Sequence, residues 1–285
     1  MSVSGRLSFI FLISLCGLGQ AMERRYLAPL EDAHWDLTAN STLVCRLEHE
    51  IPRFGRAAFV HTAGRNLQLK LSTHHHFKAG TGVELRSEPS SWNAGRSTQL
   101  LAQFKTGSGN RLFKVPGDVA EQVFHKLREG YQPGFLFNQD SPLVASISNV
   151  RFAQAADQFE QCVARLHRDN FNDVSVSVIH FEPDAEFASL REEQTAFKRM
   201  LRYLKVDSSI SEIVVTGHTD HTGLACYNRG LSERRANYVY DLLLARGIDS
   251  AKLRLDYQGE HKPANKGNSK KSLANNRRVT VELRR

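Results

Sequence analysis

The spacing of apolar residues changes near Asn172, and this change constrains the fold more than any other feature. From residue 40 to about 108, apolar and polar residues alternate in short runs separated by glycine and proline, which is typical of antiparallel strands. After Asn172, strand-like runs alternate with stretches of helical spacing. The 285 residues, 41% of them hydrophobic, suffice for two cores. The sequence therefore predicts an α+β protein of two domains, residues 22–168 and residues 169–285.

The N-terminal domain is predicted to be β-rich, with one or two helices. Asp118 is expected to cap a helix that runs to residue 128, where Gly130 stops it, and a second helix is expected over 155–167. Pro142 opens a further strand-like stretch over 142–152. The earlier predicted strands are 42–47, 57–61, 67–71, 83–86 and 99–104.

The C-terminal domain is predicted to be a compact α/β sandwich, with helices on one side of a small sheet. An apolar stripe from Phe187 through Leu190 to Leu204 predicts one helix. Ser232 is expected to cap a second helix, which Gly247 ends. The predicted strands are 174–179, 213–215, 253–257 and 279–283.

The first 21 residues have the pattern of a secretory signal. Arg6 supplies a positive start, residues 7–15 form an apolar run, and Gly19 and Ala21 are small residues at the −3 and −1 positions of a cleavage site. The run is shorter than the roughly 20 residues that span a bilayer. Leu15 precedes Cys16, where lipoprotein processing needs a small residue, so lipid anchoring is not expected. We predict export with cleavage after Ala21.

Three cysteines remain after the predicted cleavage, and an oxidising compartment would preserve a disulfide between two of them. Cys45 lies in a predicted strand and Cys162 on a predicted amphipathic helix of the same domain. Cys226 falls in a polar stretch of the other domain, which we read as a loop. We therefore expect a Cys45–Cys162 disulfide and a free Cys226.

Basic residues are concentrated at the C-terminal end of a chain whose formal net charge is +8 and whose pI is about 9.4. Such a surface could attract a polyanion, namely nucleic acid, phospholipid or cell-wall carboxylates, or it could be only a solvated basic face. The residues concerned are Lys262, Lys266, Lys270, Lys271, Arg277, Arg278, Arg284 and Arg285.

The stretch 217–236 is the strongest candidate for a binding site. Asp220 follows a predicted strand, Gly223 permits a tight turn, and Arg235 is expected in the first turn of the next helix, where backbone N–H groups also point outward. A carboxylate can accept from an ammonium, and a guanidinium can grip a carboxylate with two hydrogen bonds. We therefore expect both side chains to face a zwitterionic ligand rather than the core.

The same stretch resembles the OmpA-like peptidoglycan-binding family. Residues 219–239 match the pattern TDxxGxxxYNxxLSxxRAxxV at every fixed position, and residues 276–279, NRRV, are similar to a second signature. The resemblance implies that Asp220 and Arg235 hold the amino and carboxylate groups of diaminopimelate in the peptidoglycan stem peptide. It also implies that Asn228, Leu231 and Arg277 complete the pocket. Residues 180–183, HFEP, depart from the usual opening of the family domain.

Metal binding and catalysis are the alternative functions to consider for the candidate site residues. His218, Asp220 and His221 could be metal ligands, but adjacent positions on an extended segment point to opposite faces, and no third ligand recurs at a recognised spacing. The chain has no nucleophile–base–orienter set, phosphate loop or paired-carboxylate pattern. We predict a non-enzymatic protein that needs no cofactor and no metal.

The first half resembles the MotY family of sodium-driven flagellar motor proteins, through residues 25–29 (RYLAP), Trp35 and residues 45–55 (CRLEHEIPRFG). This resemblance implies a periplasmic protein whose N-terminal domain associates with the flagellar basal body. Its C-terminal domain would fasten the assembly and its stator units to the wall. Trp35, Pro52 and Phe54 are candidate basal-body contacts or, equally, core and turn residues. The rival functions are a general envelope tether without a motor role and a nucleic-acid binder, against which the export signal argues.

Overall fold

The computed structural model describes residues 23–285, apart from residues 91, 93, 94, 96, 108, 110 and 189–193. The predicted export signal lies outside the described residues. Within the described residues, no helix combines the length and the apolar character that crossing a membrane would require.

Two five-stranded sheets form the N-terminal half, in the orders β2-β3-β4-β5-β8 and β1-β10-β9-β6-β7. All neighbouring strands are antiparallel except β1 and β10, which are parallel. The strands are β1 (Arg24–Tyr26), β2 (Asp36–Asn40), β3 (Val44–Ile51), β4 (Gly55–Thr62), β5 (Gln68–Thr73), β6 (Gly82–Pro89), β7 (Gln99–Lys105), β8 (Leu112–Val115), β9 (Tyr131–Asn138) and β10 (Leu143–Ser146).

Two helices, α1 (Gly117–Arg128) and α2 (Phe152–Val163), pack with both sheets around one buried cluster. The expected capping role of Asp118 is wrong, because α1 begins one residue earlier, after Pro116, and has no side-chain cap. The structure joins Cys45 on β3 to Cys162 on α2 through a disulfide that spans 117 residues of sequence. This pair is the one favoured from the sequence.

Trp35 and Phe54 belong to the core of the N-terminal half. Phe54 is fully buried, and the Trp35 ring is buried with its Nε1 donating to the Ser148 carbonyl oxygen at 3.0 Å. Of the two alternatives left open by the sequence, the structure therefore favours core residues over basal-body contacts for Trp35 and Phe54. Pro52 is partly exposed in the turn before Phe54.

The C-terminal half contains a four-stranded sheet of order β11-β14-β12-β13, in which only β12 and β13 are parallel. Helices α4 and α5 pack with it in a second buried cluster. The elements are α3 (Phe171–Val174), β11 (Val176–His180), α4 (Gln194–Leu204), β12 (Glu212–Gly217), α5 (Ala225–Leu244), β13 (Leu253–Tyr257), α6 (Lys270–Asn276) and β14 (Arg278–Arg284).

Two helix starts in this half differ from the sequence expectation. Phe187 is exposed and lies before the start of α4, and its ring contacts that of Tyr238 on α5 at 5.2 Å between centroids. Leu190 lies outside the described residues. Helix α5 begins about two turns before Ser232, at Ala225, so Cys226 is an exposed free cysteine in the first turn of the helix and not a loop residue.

Residues 167–170 connect the halves and contact both. The backbone N–H of His167 donates to the Thr42 carbonyl oxygen at 2.8 Å, and Arg65 donates to the Asn170 side chain at 3.2 Å. On the other side, the Asp169 carboxylate accepts from the Arg199 guanidinium on α4 at 2.6 and 2.8 Å. The two halves therefore share polar contacts at the connecting segment.

Candidate functional site

The sequence motif folds as the end of β12, a loop over 218–224 and the start of α5. Gly217 is required at the strand end, because a Cβ there would lie 2.0 Å from the Ser232 carbonyl oxygen of α5. Ser232 is fully buried inside the helix, where its hydroxyl donates to the Arg229 carbonyl oxygen at 2.7 Å and accepts from the Gly259 N–H at 3.1 Å. Its expected role as helix cap is therefore wrong, and Ser232 joins the helix to the loop after β13.

Asp220 is buried in this loop and is held by two neighbours. One carboxylate oxygen accepts from the backbone N–H of Thr222 at 3.0 Å and from its hydroxyl, and the other accepts from the Arg277 guanidinium at 2.9 Å. Burial alone would raise the pKa of Asp220, but the hydrogen bonds from Thr222 and Arg277 outweigh it and lower that pKa below its ordinary value. The carboxylate is consequently ionised at neutral pH.

Arg235 is fully buried, which contradicts the expectation that it projects from a first helical turn toward a ligand. Its Nε donates to the Ala185 carbonyl oxygen at 2.8 Å, Nη2 to that of Glu182 at 3.1 Å and Nη1 to that of His218 at 3.3 Å. The guanidinium also stacks over the Phe181 ring, 5.0 Å from its centroid. The side chain therefore ties α5 to the segment that follows β11.

The Arg235 guanidinium remains charged despite this burial. Burial, followed by the positive charge of Arg277, lowers the pKa of Arg235 to about 10, whereas the negative charges of Asp220 and Asp184 raise it. It forms no ion pair within the described part of the chain. A guanidinium has five N–H donors, and the three carbonyl bonds leave one hydrogen on each Nη atom. Arg235 can therefore still offer two donors to a carboxylate.

The segment over Arg235, residues 181–186, was not identified as part of the site from the sequence. Two further contacts hold it against α5: Tyr227 donates its hydroxyl to the Asp184 carboxylate, and Arg234 pairs with Glu186 at 2.6 Å. Asp184 has a positive φ of 58°, an unusual value for a residue other than glycine. The segment includes residues 181–183 of the HFEP stretch that departs from the family opening, and no motif marks its remaining residues.

Of the other predicted site residues, Asn228 and Leu231 are buried and Arg277 is partly buried. Asn228 donates from its side-chain amide to Glu260 at 2.6 Å, and Leu231 is buried one turn further along α5. Arg277 binds Asp220 through Nη1 and the Phe181 carbonyl oxygen through Nε at 3.0 Å. The structure therefore brings Asp220 and Arg277 into direct contact. Glu260 is a contact residue that sequence reasoning missed, because it lies outside both motifs.

His218 and His221 do not assemble a metal site. Burial, followed by the positive charge of Arg278, lowers the pKa of His218 to about 4, so this imidazole is neutral at neutral pH. Its Nδ1 atom is buried and has no hydrogen-bond partner in the described part of the chain. Among the described residues, no group of three histidine, cysteine or acidic side chains is placed to hold a metal ion.

Comparisons with known proteins match both halves of the chain. The profile of the MotY N-terminal domain matches residues 26–167, and that of the OmpA family matches residues 181–277. The sodium-type flagellar protein MotY of Vibrio parahaemolyticus is 25% identical over 275 residues, which are 93% of this chain and 92% of that protein.

Two further relatives match a smaller part of the chain. The peptidoglycan-associated lipoprotein of Pseudomonas putida is 43% identical over 75 residues, which are 26% of this chain and 44% of that protein. The crystal structure of the peptidoglycan-associated lipoprotein from Burkholderia pseudomallei is similar over 38% of this chain and 90% of that one, with 27% identity and a TM-score of 0.36.

Proposed function

We propose that this chain, whose two halves match the MotY N-terminal domain and the OmpA family, is a non-enzymatic periplasmic anchor that binds peptidoglycan and holds flagellar motor components. In this proposal residues 1–21 direct export, residues 22–168 associate with the basal body, and residues 169–285 bind the wall. The relative named as a sodium-type flagellar protein matches along both halves, which favours a motor role over a general envelope tether.

The observation that carries the wall-binding proposal is the buried Arg235 cation with two unused N–H donors near the ionised Asp220 carboxylate. A diaminopimelate residue carries an ammonium and a carboxylate on one carbon, so it can place opposite charges against these two groups. Charge pairs removed from water in this way contribute strongly to binding specificity. Asn228, Leu231 and Arg277 then form the walls of the pocket.

Ligand access to Arg235 requires the segment 181–186 to move, because the guanidinium has no exposed surface. Four polar contacts with α5 hold that segment: two Arg235 bonds to carbonyl oxygens, the Tyr227–Asp184 bond and the Arg234–Glu186 pair. A ligand carboxylate can replace the two carbonyl oxygens as acceptors from Arg235. In the proposed complex the carboxylate takes over donors of Arg235 while Asp220 binds the ammonium.

Co-sedimentation with purified sacculi tests this pocket. Asp220→Asn keeps the shape and removes the charge, so binding should fall at least about thirtyfold, since losing one member of a desolvated charge pair costs roughly 2 to 5 kcal/mol. Arg254→Ala is the matched control, because it removes a half-exposed guanidinium on β13 that pairs with Glu212. Unchanged sedimentation of a folded Asp220→Asn protein would contradict the pocket.

The motor role is tested in cells. Deletion of the gene should abolish swimming on soft agar in cells that still assemble filaments. A general tether would instead leave swimming intact and disturb the envelope, and that outcome would refute the motor role without affecting the wall-binding proposal.

A further inference from the structure

A positively charged surface, separate from the proposed wall-binding pocket, lies where the two halves of the chain meet and continues along α4. Two adjoining cavities of about 710 and 410 Å³ share Arg202 as a lining residue. The first cavity is lined by Thr42, by the connecting segment up to Asp169 and by α4. The second cavity is lined by α4 and by residues up to Ile248 that follow α5. We call the combined depression the junction groove.

The walls of the junction groove are strongly basic. Asp169 is the one acidic residue that lines it in the described structure, and its carboxylate is already paired with Arg199. Among the described residues, Arg165 donates to a neutral amide, that of Asn40, at 2.8 Å. Four further cations of the groove have no carboxylate partner among the described residues: they are Arg168, Arg202, Lys205 and Arg246.

Apolar side chains lie between these cations. Leu166 and Val206 line the first cavity, and Leu201, Leu204 and Ile248 line the second. A purely solvated basic face would not need a concave, partly apolar surface. Guanidinium groups are suited to planar carboxylates, which they bind through two parallel hydrogen bonds. The groove therefore fits an extended ligand that carries both carboxylates and apolar groups.

The groove is well separated from the proposed wall-binding pocket. Asp220 precedes the N-terminal end of α5, whereas Arg246 follows its C-terminal end, and a helix of 20 residues is roughly 30 Å long. A ligand in the groove would thus leave the pocket open. It would also contact both halves of the chain, because Thr42 and Arg165 belong to the first half and α4 to the second.

From this charge pattern we propose that the junction groove binds an extended acidic segment of a partner protein, with Asp or Glu side chains interleaved with apolar ones. The carboxylates pair with Arg168, Arg202 and Arg246, and the apolar side chains cover the groove floor. The concave shape favours a peptide over a flat membrane surface. Occupation would hold the two halves in one orientation while the wall pocket remains engaged.

The test uses the full chain and a fluorescein-labelled synthetic peptide rich in Asp and Glu, with leucine at every third position. Its Asn/Gln counterpart and vesicles containing phosphatidylglycerol are the comparison ligands. We expect saturable binding of the acidic peptide by fluorescence anisotropy, no binding of the neutral peptide, and weakening as salt is raised. The double substitution Arg168→Glu, Arg202→Glu should reduce affinity at least about tenfold, and the Gln pair should reduce it less.

Lys270→Glu with Lys271→Glu is the matched control, since it makes the same change in net charge on the exposed α6. This control should bind the peptide within about twofold of the unmodified chain, with circular dichroism confirming that every variant is folded. Equal loss in the control would show a general charge effect and overturn the proposal. Absence of peptide binding, or vesicle binding that is stronger and depends on Arg168 and Arg202, would overturn it as well.

Discussion

Replacing Arg235 by alanine should destabilise the C-terminal half strongly, although the residue carries a charge. The substitution removes the donor of three carbonyl oxygens, on Glu182, Ala185 and His218, and leaves a void beside Phe181. An unsatisfied buried acceptor costs about 1 to 3 kcal/mol, and water entering the void will restore part of that. We expect a loss of about 3 to 5 kcal/mol, because three buried acceptors lose their donor and the removed side chain leaves a void.

The assay uses the position of the tryptophans. Both of them, Trp35 and Trp92, lie in the N-terminal half, so tryptophan fluorescence follows that half alone, whereas circular dichroism and calorimetry report both. Arg235→Ala should lower the melting temperature of the C-terminal transition by roughly 10 °C or more and leave the fluorescence transition in place. Arg254→Ala should change the melting temperature of neither transition by more than a few degrees.

The stability of the Arg235→Ala protein also affects how its binding to sacculi is interpreted. A folded Arg235→Ala protein with an unchanged C-terminal melting temperature would refute the reasoning, because it would mean that the three carbonyl contacts do not stabilise the domain. Sedimentation with sacculi must therefore be measured below the melting temperature of each variant. Only then does lost binding report on the pocket and not on unfolding.

Three further predictions follow from the described contacts. Replacing Cys45 and Cys162 by serine should lower the fluorescence-detected stability of the N-terminal half by up to about 5 kcal/mol on the chain-entropy model, because the closed loop spans 117 residues. His218 has a folded pKa of about 4, below its unfolded value of 6.5, so its contribution is fully present above pH 6.5 and is lost as the pH falls toward 4. His218→Gln should therefore reduce the acid sensitivity of the C-terminal transition between these values, by about 3 kcal/mol at most, as measured by calorimetry. A chain truncated after residue 168 should reach basal bodies, as seen by fluorescence microscopy of a tagged protein, and fail to support swimming; full swimming would contradict the anchoring role.

Much of the local structure could be predicted from the sequence, because it depends on the spacing of apolar residues. The alternation around residues 83–86 and 99–104 predicts strands that the structure extends to β6 and β7. Strand β9 escaped prediction, since it contains Pro133 and Gly134, which are typical of turns. Its neighbours β6 and β10 hold it in the sheet, and such pairing is not visible in local sequence.

The sequence by itself determined the order of strand, loop and helix around Asp220, because a long motif specifies local backbone geometry and residue type together. Only the tertiary structure decided what Arg235 contacts. Ser232 suits a helix cap, but the helix starts at Ala225, and inside α5 the Ser232 hydroxyl donates to the Arg229 carbonyl oxygen and accepts from the Gly259 N–H. This earlier start turns Arg235 into a buried mid-helix residue beneath Glu182 and Ala185, which are some 50 residues away in sequence. No pattern within the motif encodes that contact, because the carbonyl groups that satisfy the guanidinium belong to the backbone and are the same for any residue.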